Sequence, residues 1–320
     1  MVDDGQPVAA IRGRRGAGGV ALGVVEQAGT ATASVHHGEI LQGVFEDDEG
    51  VLRRGLMSMP CDLYSTRATF TPVSLPSVVV RPASKVKARR AAEETLAVLG
   101  WPCSGGYLAL RGDVPASRGF GSSTSDVLAA IWAVQNAFGC ELPSLLVAQL
   151  AVRAETASDS LMFGDNSVLF AHRDGDVVED FGRRLPRVGA VGFGTSRTGT
   201  GVDTLRLRPA EYGPVALDRF RELRAMLRTA LVTADVAMLG AVATASAELN
   251  QTNLPIPELD RITALIARTG AAGLQIAHSG DIASLLFDAR QPDFSRQRAL
   301  ACRLLADLGI TDVWPFTVGG

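Results

Sequence analysis

Long apolar runs are missing from this 320-residue chain. None reaches the ~18 residues that a membrane-crossing helix needs. An excess of charge of either sign is missing too: 31 basic against 34 acidic side chains leave a net charge of −3, which speaks against a nucleic-acid-binding surface. Cysteine is sparse. Cys61, Cys103, Cys140 and Cys302 form no Cys-x-x-Cys pair, so neither a zinc framework nor a disulfide scaffold is indicated, and reduced thiols in a cytoplasmic protein are expected. The four histidines show no metal-ligand spacing. Among the 31 basic residues only Lys85 and Lys87 are lysines, and neither follows a glycine, which excludes the Gly-Lys-Ser/Thr of a Walker A loop. Internal repeats are absent as well.

What is present describes a globular protein with a large core. Apolar residues make up 47% and charged residues 20%, enough for one large or two ordinary domains. Residues 1–29 are rich in Gly, Ala and Arg without the compact apolar segment of a signal peptide, and read as a flexible tail. Alternation predicts strands over 33–45 and 51–71, a helix over 85–99 closing at Gly100, and a short strand over 107–111. A helix over 145–155 follows Pro143, and strands over 168–171 and 177–179 flank the turn Arg173-Asp174-Gly175. The Pro-containing stretch 183–187 marks a boundary between domains at 30–185 and 186–320. Beyond it come a strand over 188–193, helices through Phe220/Leu223/Leu227/Leu231, Ile262/Leu265/Ile266 and Leu300/Leu304/Leu308, and strands over 273–277, 282–288 and 311–318. The mixture is α+β.

The densest chemical signal is the run from Asp113 to Asp126, Asp-Val-Pro-Ala-Ser-Arg-Gly-Phe-Gly-Ser-Ser-Thr-Ser-Asp. Val127, Ile131, Val134 and Phe138 follow at helical spacing, which places Gly119, Phe120, Gly121, Ser122, Ser123 and Thr124 at a helix N-terminus. Such an end offers unpaired N–H groups and the positive end of the helix dipole to an anion. Gly119 and Gly121 admit close approach, the hydroxyls can bind phosphate or Mg²⁺, and Arg118 adds positive charge where no carboxylate intervenes. By itself the same run also reads as a turn with an N-cap. It is not a dinucleotide fingerprint, because Gly119-x-Gly121 lacks the third glycine.

From Pro115 to Thr124 the loop resembles the second motif of the GHMP kinases (galactokinase, homoserine kinase, mevalonate kinase and relatives), with Phe120 in place of the usual Leu. Two further segments are similar to the L-threonine kinase-like branch of that superfamily, the cobalamin-related threonine kinases. They are His36-His-Gly-Glu-Ile-Leu-Gln-Gly43 and Met59-Pro-Cys-Asp-Leu-Tyr-Ser-Thr66, with His36-His37 where that branch carries Ser-Cys. Gly270–Gly280, with its core Ala277-His278-Ser279-Gly280, is similar to the third motif, a small-residue loop that closes on phosphates.

The resemblance covers roughly residues 30 to 318 and implies a GHMP kinase fold: an N-terminal ribosomal protein S5 domain 2-like, ATP-binding domain and a C-terminal ferredoxin-like domain. It implies ATP and Mg²⁺ as cofactors and a hydroxylated amino acid, L-threonine foremost, as acceptor, and leaves a homodimer open. Pro115, Arg118 and Gly119–Thr124 with Ser279 and Gly280 then bind nucleotide; Ser122, Ser123 and Glu155 hold the metal. Asp159 serves as base, with Asp165 in Gly164-Asp165-Asn166 as rival. Gly38, Glu39, Gln42, Asp62 and His278 fall on the substrate side. His36 and His37 are either substrate contacts or turn residues. Arg197 could reach a carboxylate from a polar loop, the Asn250-Gln251 pair lies near the cleft, and Lys85 or Lys87, placed against a helix dipole, could serve the nucleotide. Homoserine, serine or a pathway-specific alcohol is the alternative acceptor, and a non-catalytic nucleotide-binding regulator the alternative class.

Overall fold

The computed structural model describes residues 27–102, 104–196, 211–252 and 254–320. Two long strands organise it. β1 (Gly29–Glu46) and β2 (Leu52–Val73) pair antiparallel around a turn in which Asp47 accepts the N–H groups of Glu49 and Val51. β2 continues the sheet to β4 (Gly105–Gly112), which pairs in parallel with β3 (Val78–Arg81). β3 is a strand that the sequence pattern did not announce. α1 (Val86–Val98), α2 (Ser122–Ala137) and α3 (Ser144–Glu155) cover this half. α2 is apolar nearly all round and lies buried at the centre of that core, as its run of Ala, Val, Leu and Ile dictates.

A hairpin of β5 (Asn166–Ala171) and β6 (Asp176–Arg184) follows, and the chain then crosses at Leu185–Arg187 into β7 (Val188–Gly194). The rest comprises α4 (Pro214–Thr233), α5 (Val236–Asn250), α6 (Leu259–Thr269), β8 (Gly273–Ile276), β9 (Ile282–Asp288), α7 (Phe294–Asp307) and β10 (Val313–Val318). Its strands pair antiparallel in the order β10-β7-β9-β8. That order, fourth-first-third-second, is the ferredoxin-like arrangement, so the expected α+β class and C-terminal lobe are found. β8 meets β1 at a single register pair, Glu39↔Ile276, which joins the two half-sheets. Among the described residues no helix is long and apolar enough to cross a membrane.

Candidate active site

A cavity of about 380 Å³ opens where the two half-sheets meet, lined by the N-terminus of α2, the end of α3 and the loop between β8 and β9. The glycine loop is shaped by backbone freedom. Gly119 and Gly121 hold φ of +100° and +68°, a region that side chains with a Cβ rarely adopt. A Cβ on Gly119 would strike the Ser279 carbonyl, and one on Gly280 would strike the Arg118 carbonyl. The two glycine loops therefore lie backbone on backbone, tied by Asp281 N–H donating to Arg118 O at 2.9 Å. Gly121 occupies the N-cap of α2 and no side chain caps the helix. The first-turn N–H groups of Ser122, Ser123 and Thr124 have no intrahelical acceptor, and all three residues line the cavity.

Glu155 ends α3 facing that turn. Ser123 Oγ donates to it at 2.5 Å and Thr124 Oγ1 at 2.9 Å, while Lys87 Nζ stands 3.9 Å away. Burial pushes its carboxyl up to about 7, against the opposing pull of these hydroxyls. A buried carboxylate among hydroxyl oxygens beside a phosphate-sized space is the hard-oxygen donor set that Mg²⁺ takes, so Ser122, Ser123 and Glu155 fit the ion. The lysines of α1, which oppose the dipole in sequence, find carboxylates in space. Lys85 Nζ binds Asp126 at 2.5 Å and Lys87 faces Glu155, so only Lys87 lines the cavity.

The His36–Glu39 segment packs behind the cleft wall, against Asp159, through an irregularity. Register shifts interrupt β1 at Ser34/Val35, His36/Glu39 and Glu39/Leu41, and Gly38 takes φ of +64°. The bulge re-aims side chains that strict alternation would send to opposite faces. His36 Nε2 donates to Asp159 Oδ2 at 3.0 Å and its Nδ1 lies 3.6 Å from Glu39 Oε1. Burial pulls the His36 imidazole down, but Asp159 first and Glu39 next outweigh it and hold it up at about 9. Burial pushes Asp159 up, and His36 more than reverses this, leaving it at about 2. Burial raises Glu39 to about 8. Among the described residues these three alone bring metal-ligand atoms within 4.8 Å of one another. A protonated imidazole cannot ligate, so the cluster reads as an ion pair.

Not every residue singled out in sequence meets the cavity. His37 turns inward, donating to Gln275 Oε1 at 3.3 Å with its ring 4.7 Å from that of Phe316. Phe120 is buried against His37, Tyr64 and Trp314. Arg118 spends its charge on Asp281 (3.0 Å) and Asp312 (2.7 Å) and stacks over Trp314, and Pro115 supports the loop from outside the cavity. Glu39 and Gln42 stand one layer behind: Glu39 accepts the His278 N–H, and Gln42 Oε1 accepts from His278 Nδ1 at 2.9 Å. Asp62 and Asp165 line a different cavity, where Asp62 accepts from Ser34 and Asp165 pairs with Arg184. Gln251 caps its own helix turn, and Arg197 lies outside the described residues. Conversely Ser158, His172 and Arg173 line the cleft without having been singled out. The only sequence signal at the last two was the turn Arg173-Asp174-Gly175.

Comparison with known proteins agrees with this fold. The model of the GHMP kinases N terminal domain matches residues 85–172. The L-threonine kinase of Salmonella typhimurium is 28% identical over 87% of this chain and 88% of its own length. The L-threonine kinase of Citrobacter freundii is 28% identical over 56% of this chain and 62% of its own length. Among solved structures, the homoserine kinase of Cytophaga hutchinsonii superposes with a TM-score of 0.68 at 15% identity, covering 91% of this chain and 95% of its own. The mevalonate kinase of L. major, solved in complex with R-mevalonate, gives 0.62 at 19% identity, covering 89% and 95%.

Proposed function

We propose that this chain, which folds as a GHMP kinase and carries that superfamily's N-terminal domain, transfers the γ-phosphoryl group of ATP to the side-chain hydroxyl of a hydroxylated amino acid, L-threonine foremost. The observation that carries this reading is the uncapped N-terminus of α2 opening into the same cleft as the carboxylates of Glu155 and Asp159. The N–H groups of Gly119–Thr124 receive the phosphates, and Ala277–Gly280 closes over them. Ser122, Ser123 and Glu155 would hold Mg²⁺, which would supply charge neutralisation at the phosphates. Asp159 accepts the acceptor hydroxyl's hydrogen bond and later its proton. An ion-paired aspartate is a weak base, but a loose transition state asks little deprotonation early, so its first task is to orient the oxygen. His36 keeps Asp159 ionised and aimed. Glu39 and Gln42 set the His278 loop. We read 30–185 as the ATP-binding lobe and 186–320 as its partner, in a cytoplasmic enzyme.

The test is incubation with Mg-ATP and a panel of L-threonine, L-serine and L-homoserine, with phosphorylated products read by mass spectrometry. Asp159→Asn is expected to lower kcat by about 10²–10⁴-fold while leaving the KM for ATP within a few-fold. No phosphorylated alcohol, or undiminished turnover in the variant, refutes the reading. L-Homoserine, L-serine or another alcohol is the alternative acceptor, and the panel ranks them. Nucleotide binding without any turnover is the signature of a regulator, which has no use for the Glu155 and Asp159 pair.

A further inference from the structure

One wall of the cleft, beside Asp159, is built differently from the phosphate loop. His172 and Arg173 enter it from the close of β5. His172 is 4% exposed, yet both its ring nitrogens lack a hydrogen-bond partner among the described residues. Its ring stands edge-on to His278, with centroids 5.0 Å apart. Arg173 is half-buried, its Nε is buried and equally unpartnered, and Ser158 Oγ beside it is in the same condition. Buried donors are nearly always satisfied, because each one left unpaired costs the desolvation of a polar group. Three such groups lining one cavity wall mark a place where something else brings acceptors.

The charge balance says what. The other basic side chain of the cavity, Lys87, already faces Glu155, and Arg118 is consumed by Asp281 and Asp312. Arg173 is the cavity's basic group that no carboxylate of the described residues engages. We propose that Arg173, with His172 and Ser158, forms a carboxylate subsite that grips the acid group of the acceptor while Asp159 receives its hydroxyl. This rests on the kinase reading. The spacing suits a short hydroxy acid: Ser158 adjoins Asp159 in the chain and donates its N–H to His172 O at 2.9 Å, so hydroxyl site and acid site are neighbours. A guanidinium is the group that matches a carboxylate fork. Small alcohols that carry a carboxylate are therefore the substrate class, and alcohols of equal size without one are poor substrates.

The experiment compares L-threonine, L-serine and L-homoserine with their carboxamides, on wild type, Arg173→Met and Arg173→Lys. KM and kcat are measured for acceptor and for ATP, and binding of each acid and amide is measured calorimetrically with Mg²⁺ and a non-hydrolysable ATP analogue. Wild type is expected to prefer acid over amide by about 100-fold or more in kcat/KM. Arg173→Met should reduce that preference to a few-fold through the acceptor KM, leave the KM for ATP unchanged, and be partly rescued by Arg173→Lys. Equal use of acid and amide by wild type overturns the inference but leaves the kinase reading standing. So does an Arg173→Met effect on the KM for ATP alone. If no alcohol is phosphorylated, the kinase reading fails and the binding data decide: acid-selective binding lost in Arg173→Met supports the subsite, and its absence overturns it.

Discussion

At the scale of single residues, the site depends on an atom that is missing. A Cβ on Gly121 would come 2.6 Å from His36 Nε2 and 2.7 Å from Asp159 Oδ2, the two atoms that form the central ion pair. Gly121→Ala is therefore expected to separate the pair, lower kcat by at least about 10-fold, and cost about 1–3 kcal/mol of stability, which activity assays and urea denaturation measure together. The same pair sets a pH dependence. His36 is raised to about 9 against an ordinary 6.5, so its contribution is complete below 6.5 and is lost as pH climbs to 9. Glu39, raised to about 8 and faced by His36, Asp159 and His278, acts in the same direction from 4.5 upward. Asp159, depressed to about 2, loses its contribution only in strong acid. His37 and His172, both lowered to about 3, and His278, lowered to about 4, act oppositely: burial keeps them neutral, and their contribution is lost as pH falls from 6.5. Together these groups favour the fold most near pH 6.5. Melting temperatures between pH 6.5 and 9 should fall, and His36→Gln should flatten that alkaline limb while sparing the acid one.

At the scale of elements, two helix ends carry the chemistry: the start of α2 and the last residue of α3. The start of α2 was legible as a local pattern, a glycine-hydroxyl run before an apolar helix, whereas its meeting with Glu155 was implied only by the resemblance to the GHMP kinases. What local pattern could not show is long-range. The lysines of α1 looked misplaced until α2 and α3 brought Asp126 and Glu155 to them. His36 and His37 were indistinguishable as letters, and the bulge at Gly38 sends one against Asp159 behind the cleft wall and the other into an aromatic core. His172 and Arg173 ended an ordinary strand and reach the cleft only through the pairing of β5 with β2. Glu155→Gln tests the element-level reading. Ser123 and Thr124 donate to opposite oxygens of Glu155; the amide oxygen still accepts from one of them and the amide NH₂ can donate to the other once that hydroxyl turns, so the helices should stay docked. Apparent Mg²⁺ affinity, read from metal titrations of turnover, should fall about 10–100-fold.

For the whole molecule, the C-terminal half was legible as an α+β alternation of helices and strands, its ferredoxin-like order only through the resemblance, and the single-pair junction at Glu39↔Ile276 not at all, since nothing in either segment names the other. The halves share one hydrophobic cluster around Phe45 and Phe220, and at the cleft they touch backbone to backbone where Gly119 meets Gly280, 161 positions apart by their numbering. Gly119→Ala and Gly280→Ala should each cost about 1–3 kcal/mol. Because either intruding methyl pushes the same two backbones apart, the double variant should cost clearly less than the sum, and denaturation of all four proteins closes the cycle. A consequence follows for how this protein can change over descent. Neither glycine can be replaced while the other half keeps its place, and once the backbones have parted the second replacement is nearly free. The two positions are thus expected to drift as one inherited unit, held still together or released together.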